Sequence, residues 1–196
     1  MVMAQRQQKR DKKPRLTAQD WADAALTAIG EGGLAAVAVE PLATRLGTTK
    51  GSFYWHFANR DALIGAALER WAETNTEGMI TEIEAEPDPR QRLRLLFREA
   101  LAAADDDPLE VSLLATAAHP QVADALHRVT ERRVGYVARL FADIGFPEPE
   151  ARRRGLLAYT AYLGHIQLGH AVPSALPAGD EFAAYLNEAL EVLMRR

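Results

Sequence analysis

The fold of this 196-residue chain is decided by residues 40–61, which read EPLATRLGTTKGSFYWHFANRD. Leu42 and Leu46 are four residues apart, so a helix would place both on one face, beside Ala43, whose small side chain lets another helix approach. Gly47 then supplies the left-handed corner at which one short helix gives way to the next. This stretch predicts a helix-turn-helix.

The second helix of the pair combines an apolar face with a polar one. Phe53 and Phe57 are four residues apart and share a face, whereas Trp55 lies on another. The polar side chains left to point outward are Lys50, Ser52, Tyr54 and His56. A short polar-aromatic helix after a glycine corner is typical of a DNA-reading unit. The alternative interpretation is an ordinary helical hairpin whose aromatic residues are core.

Composition restricts the class of protein. Hydrophobic residues make up 48% of the chain, which is ample for a core, yet no run approaches the ~20 apolar residues of a membrane helix. The chain has no cysteine, so disulfides and thiolate metal sites are excluded. The first residues are polar and do not form a signal sequence. We therefore expect a soluble cytoplasmic protein with no membrane partner.

Charge is unevenly distributed along the chain. The first 60 residues carry nine basic and five acidic residues, whereas the remainder carries 14 basic and 22 acidic residues. Residues 1–15 lack apolar periodicity, and we expect a flexible basic arm there. A basic N-terminal segment on an acidic body is typical of a nucleic-acid binder with a separate regulatory body. The alternative is a solvated tail without a role.

Two helix starts are marked by capping residues. Thr17 and Asp20 form a capping box for a first helix. Asn59 is a suitable N-cap for a helix of about 25 residues, which would span about 38 Å. The first helix would brace the helix-turn-helix, so we predict a three-helix DNA-binding domain at residues 16–60 and a helical body at residues 61–196.

The body shows helical periodicity throughout and no strand-like alternation, so the predicted fold is all-α. Residues 150–171 are apolar on nearly all sides, which requires burial on all sides. The final helix has a single apolar stripe. These two helices from each of two subunits would form a four-helix interface in a homodimer. The predicted interface residues are Leu156, Tyr159, Leu163, Phe182, Leu186, Leu190 and Leu193.

With these residues identified, the N-terminal part resembles the tetracycline-repressor (TetR) family of bacterial transcription regulators. The resemblance rests on Lys50-Gly51-Ser52-Phe53-Tyr54-Trp55-His56-Phe57, followed by Asn59-Arg60-Asp61. It covers roughly residues 15–65. It implies a homodimer with about nine helices per chain and a C-terminal domain that binds a ligand and dimerises.

The resemblance also implies roles for individual residues. Lys50, Ser52 and Tyr54 sit where the family's recognition helix touches bases and the adjacent backbone, and His56 and Arg60 sit where it contacts phosphates. The predicted DNA-binding residues are Arg45, Thr48, Thr49, Lys50, Ser52, Tyr54, His56 and Arg60.

One departure from the family pattern lies at the start of the second helix. Members often have a threonine or serine there, which caps the helix where it binds phosphate. Val39-Glu40 stands at this place in the chain. Either Thr44, Thr48 and Thr49 compensate, or that phosphate contact is missing.

The leading hypothesis is a ligand-responsive repressor that binds a pseudo-palindromic double-stranded operator as a homodimer. A small hydrophobic or amphipathic effector in the body would release it. The predicted effector pocket consists of Trp71, Phe97, Leu114, Tyr162 and His165, for which the alternative is plain core.

Other functions remain open at this stage. They are a DNA-binding dimer without an inducer, an activator, and a small helical enzyme. The histidines give little support to an enzymatic function. His165 and His170 are five residues apart, a poor spacing for two metal ligands on one helix face. The three aspartates before Pro108 are typical of an acidic loop. We therefore predict no catalytic residue, no metal and no cofactor.

Overall fold

The computed structural model describes residues 16–106 and 108–195, with the backbone alone at residues 104–106. Across these residues every regular element is helical, which confirms the predicted all-α fold. The described helices number nine when the continuous segments between Arg60 and Ile83 are counted as one. The predicted basic arm at residues 1–15 lies outside the described part of the chain. No described helix combines the length and the apolar composition that a membrane span demands.

Three helices form the N-terminal unit: α1 (Ala18–Gly32), α2 (Val39–Arg45) and α3 (Lys50–Phe53). The predicted capping box opens α1, because the Thr17 hydroxyl accepts from the backbone N–H of Asp20, and the Asp20 carboxylate accepts from the backbone N–H of Thr17. Gly47 has a φ of 62° between α2 and α3. This is the left-handed corner that the sequence predicts.

A long helix leads from the N-terminal unit into the body. It begins as α4 (Arg60–Ala72), which Asn59 caps by accepting from the backbone N–H of Ala62 at 2.9 Å. It continues as a π-helix (Glu73–Gly78) and ends as α5 (Met79–Ile83). The predicted helix is present, but its π-helical middle was not predicted. π-Helical segments are rare in proteins, and those that occur are often found at functional sites.

The remaining helices are α6 (Pro89–Asp106), α7 (Leu109–Ala115), α8 (Pro120–Asp143), α9 (Glu148–Ala171) and α10 (Asp180–Met194). The pair α8 and α9 pack along each other, and α6 contacts α8, α9 and α10. The short helix α7 packs on α1, and α8 packs on α4. The body helix α7 therefore supports the N-terminal unit directly, and α8 supports the helix that leads out of it.

Two hydrophobic clusters form the described core. The first extends from Trp21 through α4 and α7 to Val129 in the first half of α8. The second joins α5, α6, the second half of α8, α9 and α10. Residues before and after position 60 share the first cluster, so the N-terminal unit and the start of the body are packed as one.

The close contact between α8 and α9 depends on Gly155. A Cβ at this position would lie 2.9 Å from the backbone nitrogen of Ala138, closer than real Cβ atoms come. This contact decides which face of the apolar helix α9 is buried. In the described chain outside the N-terminal unit, the exposed large hydrophobic residues all lie on α9, on α10 or between them: Leu156, Leu157, Leu168, Val172, Tyr185 and Val192.

The residues predicted for the dimer interface do not all lie on this surface. Tyr159 and Leu190 are only 6% and 2% exposed, because both pack inside the subunit. This corrects the sequence expectation for those two positions. Of the other five, Leu156 is exposed, and the following are half-buried: Leu163, Phe182, Leu186 and Leu193.

Candidate DNA-binding surface and effector cavity

Aromatic packing beneath α3 holds the helix-turn-helix together. Phe53 is fully buried, and its ring meets that of Trp21 edge-on with centroids 5.4 Å apart. The ring of Phe57 lies 5.7 Å from that of Phe53. Because α3 has only four residues, this packing and not helix propensity stabilises it. The predicted division into a buried aromatic face and an outer polar face is confirmed.

Lys50, the first residue of α3, is held by a residue of α2. Its ammonium group donates to Glu40 Oε1 at 2.9 Å. The hydrogen bond to Glu40 and the Glu40 charge raise the pKa of Lys50, which therefore stays cationic at neutral pH. Both side chains are largely exposed, and exposed ion pairs are weak. Lys50 can therefore exchange Glu40 for an acceptor on DNA at little cost.

Both arginines among the predicted DNA contacts are paired with other groups of the protein. Arg45 forms an ion pair with Glu31. Arg60 donates through Nε to the carbonyl of Val37 at 2.7 Å, and through its terminal nitrogen to the carbonyl of Leu34. This geometry makes Arg60 a brace for the segment that precedes α2. A phosphate contact by Arg60 stays a prediction.

The start of α2 retains the departure from the family pattern. Ala38 is its N-cap, and no side chain caps the helix end. The Thr44 hydroxyl donates to the carbonyl of Glu40 at 3.0 Å, within the same helix. Thr44 therefore does not replace the missing cap.

The other predicted contacts lie around α3. Thr49 is exposed at its N-cap position, Tyr54 is 57% exposed, and three are half-buried: Thr48, Ser52 and His56. Trp55 was not predicted as a contact, yet its side chain is 78% exposed. The sequence indicates this exposure, because Trp55 lies two residues from both Phe53 and Phe57 and therefore points away from the face that they share. A large exposed aromatic side chain often marks an interaction surface.

A cavity of about 90 Å³ lies in the body, where the two hydrophobic clusters meet. Its apolar and aromatic walls include Trp71, Met79, Ile80, Leu96, Phe97, Tyr136 and Val137. Its polar lining is provided by Asn75, Thr76, Glu110, Arg133, Tyr159 and Tyr162. A mainly apolar cavity with a few convergent polar groups is typical of a small-molecule site.

The polar residues of the cavity form one buried network around Arg133. Its guanidinium donates to both carboxylate oxygens of Glu110 at 2.8 and 2.9 Å, to the Thr76 hydroxyl at 2.9 Å and to the Asn75 carbonyl at 3.2 Å. The Tyr162 hydroxyl donates to Glu110 at 3.0 Å. The side chains of Arg133 and Glu110 are 15% and 11% exposed. This network ties α8, α7 and the π-helical segment together.

The charge state of the network follows from its surroundings. Burial opposes the charge on Arg133, but the attraction of Glu110 outweighs it and the pKa of Arg133 is raised. Burial, aided by the Glu110 charge, also raises the pKa of Tyr159 and of Tyr162. At neutral pH the cavity therefore holds one cation and two neutral hydroxyl groups beside the Glu110 side chain.

Residues 22–67 match the family model described as bacterial regulatory proteins, tetR family. The match includes α2, the Gly47 turn, α3 and the start of α4. The N-terminal unit is therefore similar to that of the TetR family. Among curated proteins, none matches the chain.

Solved structures extend the likeness from the N-terminal unit to the whole fold. A transcriptional regulator from Rhodococcus sp. Rha1 is 21% identical with a TM-score of 0.72, over 91% of this chain and 94% of that chain. A TetR transcriptional regulator from Legionella pneumophila is 11% identical with a TM-score of 0.76, over 90% and 96%. FadR from Bacillus subtilis, solved with stearoyl-CoA, is 14% identical with a TM-score of 0.69, over 91% and 98%.

The cavity in the body includes only part of the predicted effector pocket. Three predicted residues line it: Trp71, Phe97 and Tyr162. Leu114 and His165 are not among its lining residues, so a ligand contact by either stays a prediction. The His165 ring packs against the rings of Phe182 and Tyr185, with centroids 5.5 and 6.0 Å away.

Sequence reasoning missed the two charged residues of this cavity. Arg133 follows Arg132 on a helix rich in arginine, and Glu110 lies in the first turn of a short helix. Charged residues in helices are mostly exposed, so neither position carries a signal of burial. Only the packing of α7 against α8 reveals the pair.

Proposed function

We propose that this DNA-binding regulator is a ligand-responsive repressor. As a homodimer it would place two copies of α3 in successive major grooves of a pseudo-palindromic operator, about 34–36 Å apart. A small hydrophobic or amphipathic effector bound in the cavity would favour a subunit arrangement with lower operator affinity. In this scheme residues 16–60 read DNA, and residues 61–196 bind the effector and dimerise.

The observation that carries the proposal is that one continuous helix connects the DNA-binding unit with the cavity. The helix that Asn59 opens directly after the recognition segment supplies Trp71, Asn75 and Thr76 to the cavity wall. Arg133 is hydrogen-bonded to the π-helical part of the same helix. A ligand that shifts this wall therefore acts on the helix that positions α3. This continuity favours an effector-controlled regulator over a DNA-binding dimer without an inducer.

A cavity-filling substitution tests the effector response without knowledge of the effector. Ala100 lines the cavity, so Ala100→Leu should occupy its space as a bound ligand would. Operator affinity should fall by about 5- to 150-fold, the usual range of allosteric coupling. The operator can be selected from random duplexes with the unaltered protein, and affinity measured by fluorescence anisotropy.

Ala102→Leu provides the matched control, because Ala102 is exposed on the same helix. It should bind the operator as the unaltered protein does. Thermal unfolding of both variants checks that each is folded at the assay temperature. An Ala100→Leu protein that is folded and binds with full affinity would favour the regulator without an inducer.

A second test separates base reading from phosphate binding on the DNA surface. Lys50 begins α3, the end of a recognition helix that faces base edges, and lysine can donate to guanine. Lys50→Ala should weaken cognate binding by about 5- to 150-fold and relax the preference at one or two positions per half-site. His56→Ala should weaken all sequences by one similar factor, since phosphate contacts carry no direct sequence information.

The measurement is the affinity of both variants for a panel of operators with single-base changes. Neither residue belongs to the buried core, so both variants should keep the fold. A His56→Ala protein with altered base preference, together with a Lys50→Ala protein that weakens uniformly, would overturn this placement of α3.

A further inference from the structure

The polar corner of the cavity is built as a cation site, and a protein side chain occupies it. The guanidinium carbon of Arg133 lies 5.4 Å from the centroid of the Trp71 ring. Glu110 accepts two hydrogen bonds from the same guanidinium, and the hydroxyl groups of Tyr159 and Tyr162 approach Glu110 at 3.5 and 3.0 Å. A carboxylate beside aromatic faces is the arrangement that proteins use to hold organic cations.

We propose that the effector of this cavity is an amphipathic organic cation whose amidinium or guanidinium head replaces the Arg133 guanidinium on Glu110. The inference rests on the proposed function, since it identifies the chemical class of the ligand at the same site. The planar head would donate to both carboxylate oxygens of Glu110, which a single terminal nitrogen of Arg133 contacts in this structure. The apolar part of the ligand would lie against the aromatic and aliphatic walls.

Two features favour a cation over an anion. The faces of aromatic rings are electron-rich, so a cavity walled by Trp71, Phe97 and Tyr136 attracts positive charge and disfavours negative charge. An anionic ligand on Arg133 would also have to expel Glu110, which is buried and holds the Tyr162 hydroxyl. A cationic ligand leaves Glu110 in place and supplies a new countercharge, so no buried charge is left without a partner.

The structure offers the displaced Arg133 a route to other acidic groups. Thr76, which accepts from Arg133 Nε, lines the cavity and also an outer groove between α1, α4 and α8. Three glutamates line that groove, and each is paired there with an arginine: Glu69 with Arg128, Glu73 with Arg70 and Glu77 with Arg132. An arginine that moves from the cavity toward this groove shares these carboxylates with the arginines already there and gains contact with water.

Displacement of Arg133 would connect ligand binding to the DNA-binding unit. Arg133 would lose its hydrogen bonds to Thr76 and to the Asn75 carbonyl, which hold the π-helical segment against α8. It would also leave Glu110, whose helix α7 packs on α1. The two attachments that link the cavity to the helices of the N-terminal unit would therefore change together.

The size of the cavity limits the ligand. At about 90 Å³ it is smaller than the ~150 Å³ cavity known to admit benzene. An aromatic ligand must therefore take the space of the displaced guanidinium as well as the open volume. A charged head joined to one ring fits this limit, which makes benzamidinium a suitable probe.

The test compares three probes of nearly the same shape: benzamidinium, neutral benzamide and anionic benzoate. Binding to the full-length protein is measured by calorimetry at neutral pH. Benzamidinium should bind at least about tenfold more tightly than the other two, because it alone offers charged donors to the Glu110 carboxylate and charge-assisted hydrogen bonds are the stronger ones. Glu110→Gln should remove this preference. Glu99→Gln, which makes the same change at an exposed position of α6 outside both the cavity and the groove, should retain it.

Equal binding of all three probes, tighter binding of benzoate, or no binding by any of them would overturn the cation class. The probe series on the unaltered protein decides this even where Glu110→Gln fails to fold. Operator affinity with each bound probe then tests the proposed function separately. Benzamidinium that binds without weakening operator affinity would support the site and contradict the effector response. Benzoate or benzamide that releases the operator would support the response and contradict the cation class.

Discussion

Arg133→Met should lower the free energy of unfolding by about 3–5 kcal/mol, the usual cost of removing one partner of a buried ion pair. The substitution leaves the Glu110 carboxylate buried without its cation and removes the hydrogen bonds to Thr76 and the Asn75 carbonyl. The measurement is urea unfolding at one fixed protein concentration, because dissociation of a dimer would make the midpoint concentration-dependent.

Arg132→Met is the matched control, since Arg132 is the adjacent arginine on α8 and pairs with Glu77 in a more exposed position. It should cost less than about 1 kcal/mol. Arg133→Met combined with Glu110→Gln should be more stable than Arg133→Met alone, because the double variant has no unpaired buried charge. Equal stability of the Arg132 and Arg133 variants would mean that the buried network does not stabilise the fold.

Leu156→Glu combined with Val192→Glu should convert the protein to a monomer. The side chains of these residues are 50% and 56% exposed on α9 and α10, the part of the described body that carries its exposed large hydrophobic residues. Two added carboxylates would have to be buried across the proposed interface without partners. Operator affinity should fall by about 10²- to 10⁴-fold, because the second half-site would no longer be bound by a linked subunit.

Sedimentation velocity and operator binding measure the two consequences separately. Ala123→Glu adds a carboxylate at an exposed position on α8 and serves as the control, with unchanged mass and affinity. The positions chosen from sequence alone would have given a weaker experiment, since Leu190→Glu disturbs the core of the subunit itself. A double variant that stays dimeric would place the interface on another surface.

Local chemistry explains the features that were predicted from sequence. The caps at Thr17 and Asn59 and the corner at Gly47 depend on residues within a few positions of one another, so the sequence displays the whole interaction. The spacing of Phe53 and Phe57 likewise predicts their burial, because one helical turn places both on one face.

The π-helical segment shows where such local reasoning ends. Residues 73–78 carry no apolar period that distinguishes a π-helix from an α-helix. The contacts that accompany this geometry come from α8, where Arg133 donates to Thr76 and to the Asn75 carbonyl across 57 and 58 positions of sequence. A rare helix form held by distant partners cannot be predicted from its own residues.

The sequence by itself determined the helix-turn-helix, its bracing helix and the all-α class, because these follow from caps, turns and short-range periodicity. Only the tertiary structure decided which face of the apolar helix α9 stays exposed, since that choice depends on the approach of α8 at Gly155. It also decided that Glu110 and Arg133 meet inside the cavity. Burial of a charged side chain is favourable only beside its partner, and the fold alone brings these two together.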